Sequence, residues 1–273
     1  MHSDRSQRTG GWRAWLPPAV VLALLLAASS AVLEVLGGLG ARLGWWHFSF
    51  GFQLLRWGAR VGAAAVVLAL LTLPALLAAG WLRRWPLPAG AALSLVLGAT
   101  TLGLPWLHLQ TARSVPPIHD ITTDWDDPPA FQALLPLRAG APNAPDYDGP
   151  DTANQQRRFY GDIGPARFRE EPPAVFAAVE RVAQRLGWRV VAAEPGAGRL
   201  EATDTTFWFG FTDDVVVRVR AAADGAADGA AGGGTRVDVR SKSRVGRSDI
   251  GTNARRVRRF LHALQGAGLT PRS

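Results

Sequence analysis

One stretch of the sequence combines the residue types that bind an anion. Residues 240–253 are rich in Arg, Ser and Gly, and they lead from a predicted strand into a predicted helix. Free N–H groups and the helix dipole favour a negative charge at a helix start, and glycine permits close backbone approach. The stretch predicts a site for a phosphate or carboxylate, formed by Arg240, Ser241, Arg244, Arg247, Ser248 and Asn253.

A negative group within the chain is the alternative explanation of this stretch. Arg255 and Arg256 fall in the first turn of the predicted helix, where a cation is unfavourable unless a negative group lies nearby. A bound anion would supply that charge, but so would the carboxylates of Asp249, Asp213 or Asp214. In that case the stretch is a loop held by its own ion pairs.

A second group of residues could act as acid–base catalysts or metal ligands. It lies in a Pro- and Asp-rich segment and comprises His119, Asp120, Asp124, Asp126 and Asp127. The spacing matches no metal motif, so neither a metal nor a cofactor is expected. The sequence has no cysteine, nucleophile elbow, P-loop or dinucleotide fingerprint, and no nucleophile–base pair can be named. These observations favour a protein that is not an enzyme.

Two further groups could contact a ligand or partner. Aromatic residues 207–211 are expected to be mostly core, although an exposed tip could touch a bilayer or another protein. One face of the predicted sheet is charged, and it could hold a polar ligand, form ion pairs in solvent or lie under residues 116–165. The charged residues of this face are Glu201, Arg218, Asp238 and Arg240.

The elements ahead of these residues are predicted to cross a membrane. Three apolar stretches run over about residues 17–36, 61–82 and 87–107, and a helix needs about 20 apolar residues to span the hydrocarbon core. Lipid cannot satisfy backbone polar groups, so each stretch should be helical. Residues 1–107 are therefore predicted to be a transmembrane region with three helices.

The arginines predict the orientation of these helices. The formal net charge is +8, and most of the excess flanks the apolar stretches, which indicates membrane topology rather than nucleic-acid binding. The cytoplasmic side should hold Arg5, Arg8, Arg13, Arg83 and Arg84. The N-terminus is then cytoplasmic and the C-terminal domain periplasmic, in a bacterial inner membrane. Membrane lipids and a membrane protein are the expected partners, and nucleic acid is not.

Three residue patterns complicate this topology. Arg42, Arg56 and Arg60 fall in the loop assigned to the outside, although the last two could snorkel from a helix start. The basic N-terminus and the small residues 27–30 are also typical of a cleaved signal peptide. Glu34 is the only acidic residue in a span; its place near a helix end predicts a solvated interfacial position rather than an intramembrane site.

The remaining chain predicts an α+β fold. Residues 108–165 should form an extended Pro/Asp-rich connector packed on the domain, with a short helix at 129–135. Residues 166–268 should form the soluble domain, a four-stranded antiparallel sheet with helices on one face. Its expected helices begin near residues 172 and 252, and its expected strands cover residues 188–194, 199–209, 215–220 and 235–241. A Gly/Ala/Asp-rich hairpin loop is expected at residues 221–234.

Three runs of the sequence resemble a known family. They are PPIHDITTDWDDPPAF at 116–131, EATDTTFWFGFTDDVVVRV at 201–219 and VDVRSKSRVGRSDIGTNARRVRRFL at 237–261. They resemble the bacterial branch of the family called domain of unknown function 1499, over residues 116–264. The resemblance implies hydrophobic helices ahead of the domain, and it implies no particular activity or ligand.

Three functional hypotheses follow from the sequence. The first is a membrane-anchored, non-enzymatic extracytoplasmic domain that binds an anionic lipid headgroup or envelope component. The second is an interaction or assembly module for another membrane protein, working through the aromatic residues and the transmembrane helices. The third is an envelope enzyme that uses the aspartates and histidine of the connector.

Overall fold

A computed structural model describes residues 11–222 and 234–272. These residues divide into two units, of which the first holds residues 11–110 together with 208–210 and the second holds the others. The predicted cytoplasmic residues Arg5 and Arg8 lie outside the described residues. Most of the predicted hairpin loop, residues 223–233, lies outside them as well.

Three long helices build the first unit. They are α1 (Leu16–Arg42), α2 (Phe48–Ala78) and α3 (Pro86–Ser114), whose last residues belong to the second unit. Each is long and apolar enough to cross a membrane. Helices α1 and α3 extend beyond the predicted spans, and α2 begins 13 residues before residue 61 but ends before residue 82. Arg56 and Arg60 therefore lie inside a helix rather than in a loop.

Small residues bring the three helices into close contact. A Cβ added at Gly98 of α3 would lie 2.9 Å from the carbonyl oxygen of Gly62 in α2. Ser30 of α1 donates to the carbonyl oxygen of Gly58 at 2.7 Å, and its hydroxyl is 2.7 Å from that of Thr101 in α3. Because lipid offers helices little hydrophobic reason to associate, close packing and interhelical hydrogen bonds hold such a bundle together.

An antiparallel sheet of six strands forms the centre of the second unit. The strands are β1 (Asp120–Thr122), β2 (Ala166–Phe168), β3 (Arg189–Glu194), β4 (Arg199–Thr205), β5 (Thr212–Ala221) and β6 (Thr235–Ser243). Their order is β1-β6-β5-β4-β3, and β2 also pairs with β6. The predicted number of four strands is wrong because β1 and β2 were missed. Each has three residues, too few to show an alternating pattern.

Helices α5 (Pro172–Arg185) and α6 (Thr252–Gln265) pack against the aliphatic side chains of the sheet. Phe176 of α5 and Phe260 of α6 share one buried core with Val217 and Val239. The ring of Trp188 stacks on that of Phe260 with 5.0 Å between centroids. A further helix, α4 (Pro150–Tyr160), lies within the segment that was predicted to be an extended connector.

Candidate functional site

The residues of the predicted anion site run from the end of β6 through the following loop into the first turn of α6, and two of them are fully buried. The Ser241 hydroxyl donates to Asn253 Oδ1 at 2.7 Å. Asn253 Nδ2 donates to the Ser243 hydroxyl at 2.9 Å and to the His119 carbonyl oxygen at 3.0 Å. Ser241 and Asn253 both have no exposed surface. Their polar groups therefore tie β6, α6 and the chain before β1 together.

Arg240 and Arg244 are paired with carboxylates of the chain. Arg240 is 2% exposed, and its Nε and Nη2 contact the two carboxylate oxygens of Asp120 at 2.9 and 2.8 Å. Arg244 binds Asp214 through Nε at 2.9 Å and Nη2 at 2.8 Å. Two-point contacts of this kind are strong and directional. Both guanidinium groups already have an anionic partner.

Arg247 and Ser248 lie at the tip of the loop. Ser248 accepts a hydrogen bond from the Ile250 backbone N–H at 3.2 Å. The guanidinium of Arg247 is exposed and bonds to no other residue in the described part of the chain. Of the predicted anion-site residues, Arg247 alone presents an uncompensated charge there. The prediction that this loop binds an anion stays a prediction.

Asp249 caps the N-terminus of α6. Its Oδ1 accepts from the Gly251 N–H at 2.8 Å and its Oδ2 from the Asn253 N–H at 2.6 Å. Gly251 has a φ of 72°, which glycine adopts without strain. Burial raises the pKa of Asp249, although the two N–H groups oppose this effect. The free N–H groups that were expected to bind an anion thus face a carboxylate of the chain.

Arg256, in the first turn of α6, is also neutralised internally. It contacts Asp204 at 2.8 Å and Asp213 at 2.7 Å. These contacts, with the cap formed by Asp249, match the alternative in which the chain supplies its own negative charge. Burial acts to lower the pKa of Arg256, but Asp213 and Asp204 outweigh it and the pKa is raised.

The charged face of the sheet lies under the predicted connector. Asp124 of the connector contacts Arg236 at 2.7 Å, Arg220 at 3.0 Å and Arg218 at 3.1 Å. Asp238 of β6 lies in the same cluster and contacts Arg236 at 2.9 Å. The connector therefore supplies carboxylate partners for the arginines of this face.

Glu201 anchors the next part of the connector. Its buried carboxylate accepts the backbone N–H groups of Gln132 at 2.9 Å, Ala133 at 3.1 Å and Leu134 at 2.9 Å. Beside it, Leu134 packs with Val216 in a small apolar cluster. The residue at position 216 is apolar because the connector covers it.

The acidic residues and histidine of the connector do not form one site. Asp120 and Asp124 are buried and each forms ion pairs with arginines of the sheet, whereas Asp126 and Asp127 are exposed. His119 lies 3.1 Å from Asp148. Within residues 11–222 and 234–272, no three His, Cys, Asp or Glu side chains lie close enough together to hold a metal ion.

The aromatic residues at 207–211 are not part of the domain core, so that prediction is wrong. Phe207 is 73% exposed and Trp208 is 38% exposed. Residues 208–210 belong to the first unit, where the rings of Phe209 and Phe52 are 4.8 Å apart. Phe207 and Trp208 are exposed because they lie in the turn between β4 and β5, outside the core that α5 and α6 form with the sheet.

Two arginines that sequence reasoning missed line a hollow of the second unit. Arg181 and Arg185 are one turn apart on α5, and the hollow of about 550 Å³ is also lined by Gln184, Gly266 and Ala267. Both arginines are exposed, and neither bonds to any residue the structure describes. The only sequence signal was their spacing of four, which is equally typical of a solvated helix face.

Comparison with known proteins assigns the second unit to a protein family. The model of a family described as "protein of unknown function (DUF1499)" matches residues 120–264, more than half of the chain. No curated protein and no solved structure matches the chain. The matched segment begins at the first residue of β1 and ends in α6, so the family includes the connector as part of its fold. The chain belongs to the DUF1499 family.

Proposed function

We propose that this chain is a membrane-anchored, non-catalytic protein whose second unit binds a phosphate-bearing ligand. The ligand is a lipid headgroup or an anionic polymer of the envelope, and both present the same chemistry to the protein. The observation that carries the proposal is the pair Arg181 and Arg185, which lines the hollow beside α5.

Arginine suits this ligand because its planar guanidinium donates two parallel hydrogen bonds to phosphate oxygens. Arg240 and Arg244 are already engaged by carboxylates, whereas Arg181 and Arg185 have no such partner among the described residues. The hollow therefore supports anion binding better than most of the β6–α6 loop does. Arg247, exposed at the loop tip, is a second contact to be tested beside it.

The proposal includes a location for the second unit. Arg13, Arg83 and Arg84 lie at the ends of the apolar helices on the side predicted to be cytoplasmic, and basic residues are enriched there. The guanidinium of Arg84 lies 4.6 Å from the Trp81 ring, an arrangement suited to a membrane interface. These features support a cytoplasmic N-terminus and a periplasmic second unit in an inner membrane.

Binding experiments test which phosphate-bearing ligand the second unit binds. The full chain, held in phosphatidylcholine nanodiscs, is titrated with phosphatidylglycerol vesicles and, separately, with soluble glycerol phosphate polymer. An arginine near an anionic surface contributes about 1 kcal/mol, so the double variant Arg181→Ala, Arg185→Ala should weaken vesicle binding about 30-fold. Binding of the polymer but not of vesicles would assign the ligand to a polymer.

Two single variants make this test specific. Arg169 is exposed and its side chain makes no bond to the described residues, so Arg169→Ala removes one arginine charge, half of what the double variant removes, without touching the hollow. Arg247→Ala reports on the β6–α6 loop. Unchanged binding by the double variant, or a loss of binding free energy in Arg169→Ala that reaches half that of the double variant, would refute the assignment to the hollow.

Cysteine labelling tests the location. The chain has no cysteine, so Asp126→Cys introduces a single thiol at an exposed position. A membrane-impermeant maleimide should label this variant in intact spheroplasts. Labelling only after lysis would contradict the proposed orientation.

A further inference from the structure

Glu34 of α1 is buried in the helix bundle, contrary to the solvated position predicted for it. Its side chain is 8% exposed, and Oε1 has no hydrogen-bond partner in the described parts of the chain. A Cβ added at Gly58 of α2 would lie 2.8 Å from Glu34 Cγ and 3.5 Å from Oε1. The missing side chain at position 58 thus lets α2 pack directly on the carboxyl group.

The groups around Glu34 are neutral oxygens. The Ser30 carbonyl oxygen would be 3.2 Å from the same added Cβ at Gly58, so it faces the same spot as Oε1. One turn of helix away, the Ser30 hydroxyl contacts the Gly58 carbonyl oxygen and the Thr101 hydroxyl, both at 2.7 Å. Polar groups of all three helices therefore meet around Ser30, one turn of helix from Glu34.

No cation of the described chain neutralises this carboxyl group. The nearest basic residues of α2 along the chain are Arg56, which donates to the Phe52 carbonyl oxygen at 3.3 Å, and Arg60, whose guanidinium lies 4.9 Å from the Trp57 ring. The groups that α3 presents to this region are the Thr101 hydroxyl and the Gly98 backbone. An unpaired carboxylate away from water is very costly, and ionisable residues inside membrane bundles are commonly functional.

From this arrangement we infer that the region around Glu34, Ser30 and Thr101 is a binding site for a small monovalent cation. The cation is a proton or Na⁺, and either would remove the uncompensated charge from the bundle. A proton needs only the carboxyl oxygen. Na⁺ would bind the Glu34 carboxylate beside the Ser30 carbonyl oxygen, with further oxygens, the Gly58 carbonyl and the two hydroxyls, one turn of helix away. The site is independent of the anion-binding hollow, because it lies in the other unit.

Thermal stability of the full chain in nanodiscs decides whether the site exists. Glu34→Gln keeps the shape of the side chain and removes its charge. If a proton occupies the site, the wild-type Tm should fall relative to that of Glu34→Gln as the pH is raised. If Na⁺ occupies it, NaCl but not choline chloride should raise the wild-type Tm and leave that of the variant unchanged. Identical responses of both proteins to pH and to Na⁺ would overturn the inference.

Carbodiimide labelling then distinguishes the two cations. Dicyclohexylcarbodiimide enters membranes and reacts with protonated carboxyl groups, and the adduct is located by peptide mass spectrometry. Labelling of Glu34 that Na⁺ suppresses several-fold identifies a Na⁺ site, and labelling that responds to pH alone identifies a proton site. Glu180, half-exposed on α5, is the internal control and should label weakly under all conditions.

Discussion

Arg240 of β6 and Asp120 of β1 form a two-point ion pair that is closed off from solvent. The two contacts are 2.9 and 2.8 Å long, and the side chains are 2% and 0% exposed. Lys242 adds a third contact to Asp120 at 3.2 Å. Since an isolated buried charge is very costly, Arg240 and Asp120 depend on each other, while Lys242 also contacts Asp148. The pair therefore fastens the start of the connector to the centre of the sheet.

Replacing Asp120 should expose that dependence. Asp120→Asn leaves Arg240 buried beside a neutral group, whereas Lys242 keeps its contact with Asp148. We expect the free energy of unfolding to fall by about 3–5 kcal/mol. Asp126→Asn, at an exposed position, should change it by no more than about 0.5 kcal/mol. Denaturant titration of the full chain, followed by tryptophan fluorescence, measures both. Equal effects of the two substitutions would contradict this account of the ion pair.

Glu201→Gln should release the connector locally. The carboxylate accepts three backbone N–H groups, whereas a glutamine side chain would turn an NH₂ group toward some of them. A hydrogen bond to a charged group contributes about 1.5–3 kcal/mol. We therefore expect the free energy of local opening to fall by about this amount, with faster amide exchange at residues 132–134. Hydrogen–deuterium exchange measures it, with Glu180→Gln as the control. Unchanged protection at these amides would show that the carboxylate does not hold them.

Tyr147→Phe should remove an alkaline sensitivity. The Tyr147 hydroxyl is buried without a partner in the described residues, and burial raises its pKa to about 12. The ordinary pKa is about 10, so the stability this group contributes is complete below pH about 10 and is lost as the pH rises toward about 12. The variant should match or slightly exceed the wild type at neutral pH and lose less stability in this alkaline range.

Alkaline denaturation curves of wild type and Tyr147→Phe provide the measurement. Tyr160, whose pKa burial also raises, is present in both proteins, so its contribution cancels in the comparison. Parallel curves across the alkaline range would mean that Tyr147 ionises as readily in the folded protein as in the unfolded chain.

Gly98→Ala should loosen the helix bundle. The added methyl group would meet the Gly62 carbonyl oxygen at 2.9 Å, so the α2 and α3 backbones must move apart, at a cost of about 1–3 kcal/mol. Gly103→Ala, on the same helix, meets nothing within 4 Å and provides the control for helix propensity. Thermal unfolding in detergent compares them. A Gly98→Ala protein as stable as Gly103→Ala would rule out a tight α2–α3 contact at this point.

The long elements of the second unit could be predicted because each carries several periods of its pattern. Val215, Val217 and Val219 recur at every second position of β5, and α6 places Val257 and Phe260 on one face. The start of β5 was set too late. Asp213 and Asp214 precede the predicted strand, but both are buried strand residues with arginine partners.

The pairing of charges could not be predicted in the same way. Arg218 and Asp124 are 94 residues apart in the sequence, and the type of a charged residue does not select its partner. One signal was available: Val216 breaks the polar alternation of β5, which is expected if something apolar covers that position. Leu134 does so. The two unpaired arginines of α5 gave no signal that distinguishes a ligand site from a solvated helix.

Strand β6 has neighbours on both sides, β5 on one and the short β1 and β2 on the other. A fragment trimmed to begin at residue 166, the predicted start of the soluble domain, would lack β1. The part of β6 that pairs with β1 would then have no neighbouring strand on that side. The unpaired N–H and C=O groups of β6 would form an open strand edge, through which identical fragments could pair and aggregate. We therefore expect the three residues of β1, distant from the other strands in the sequence but paired with β6, to protect the domain from self-association.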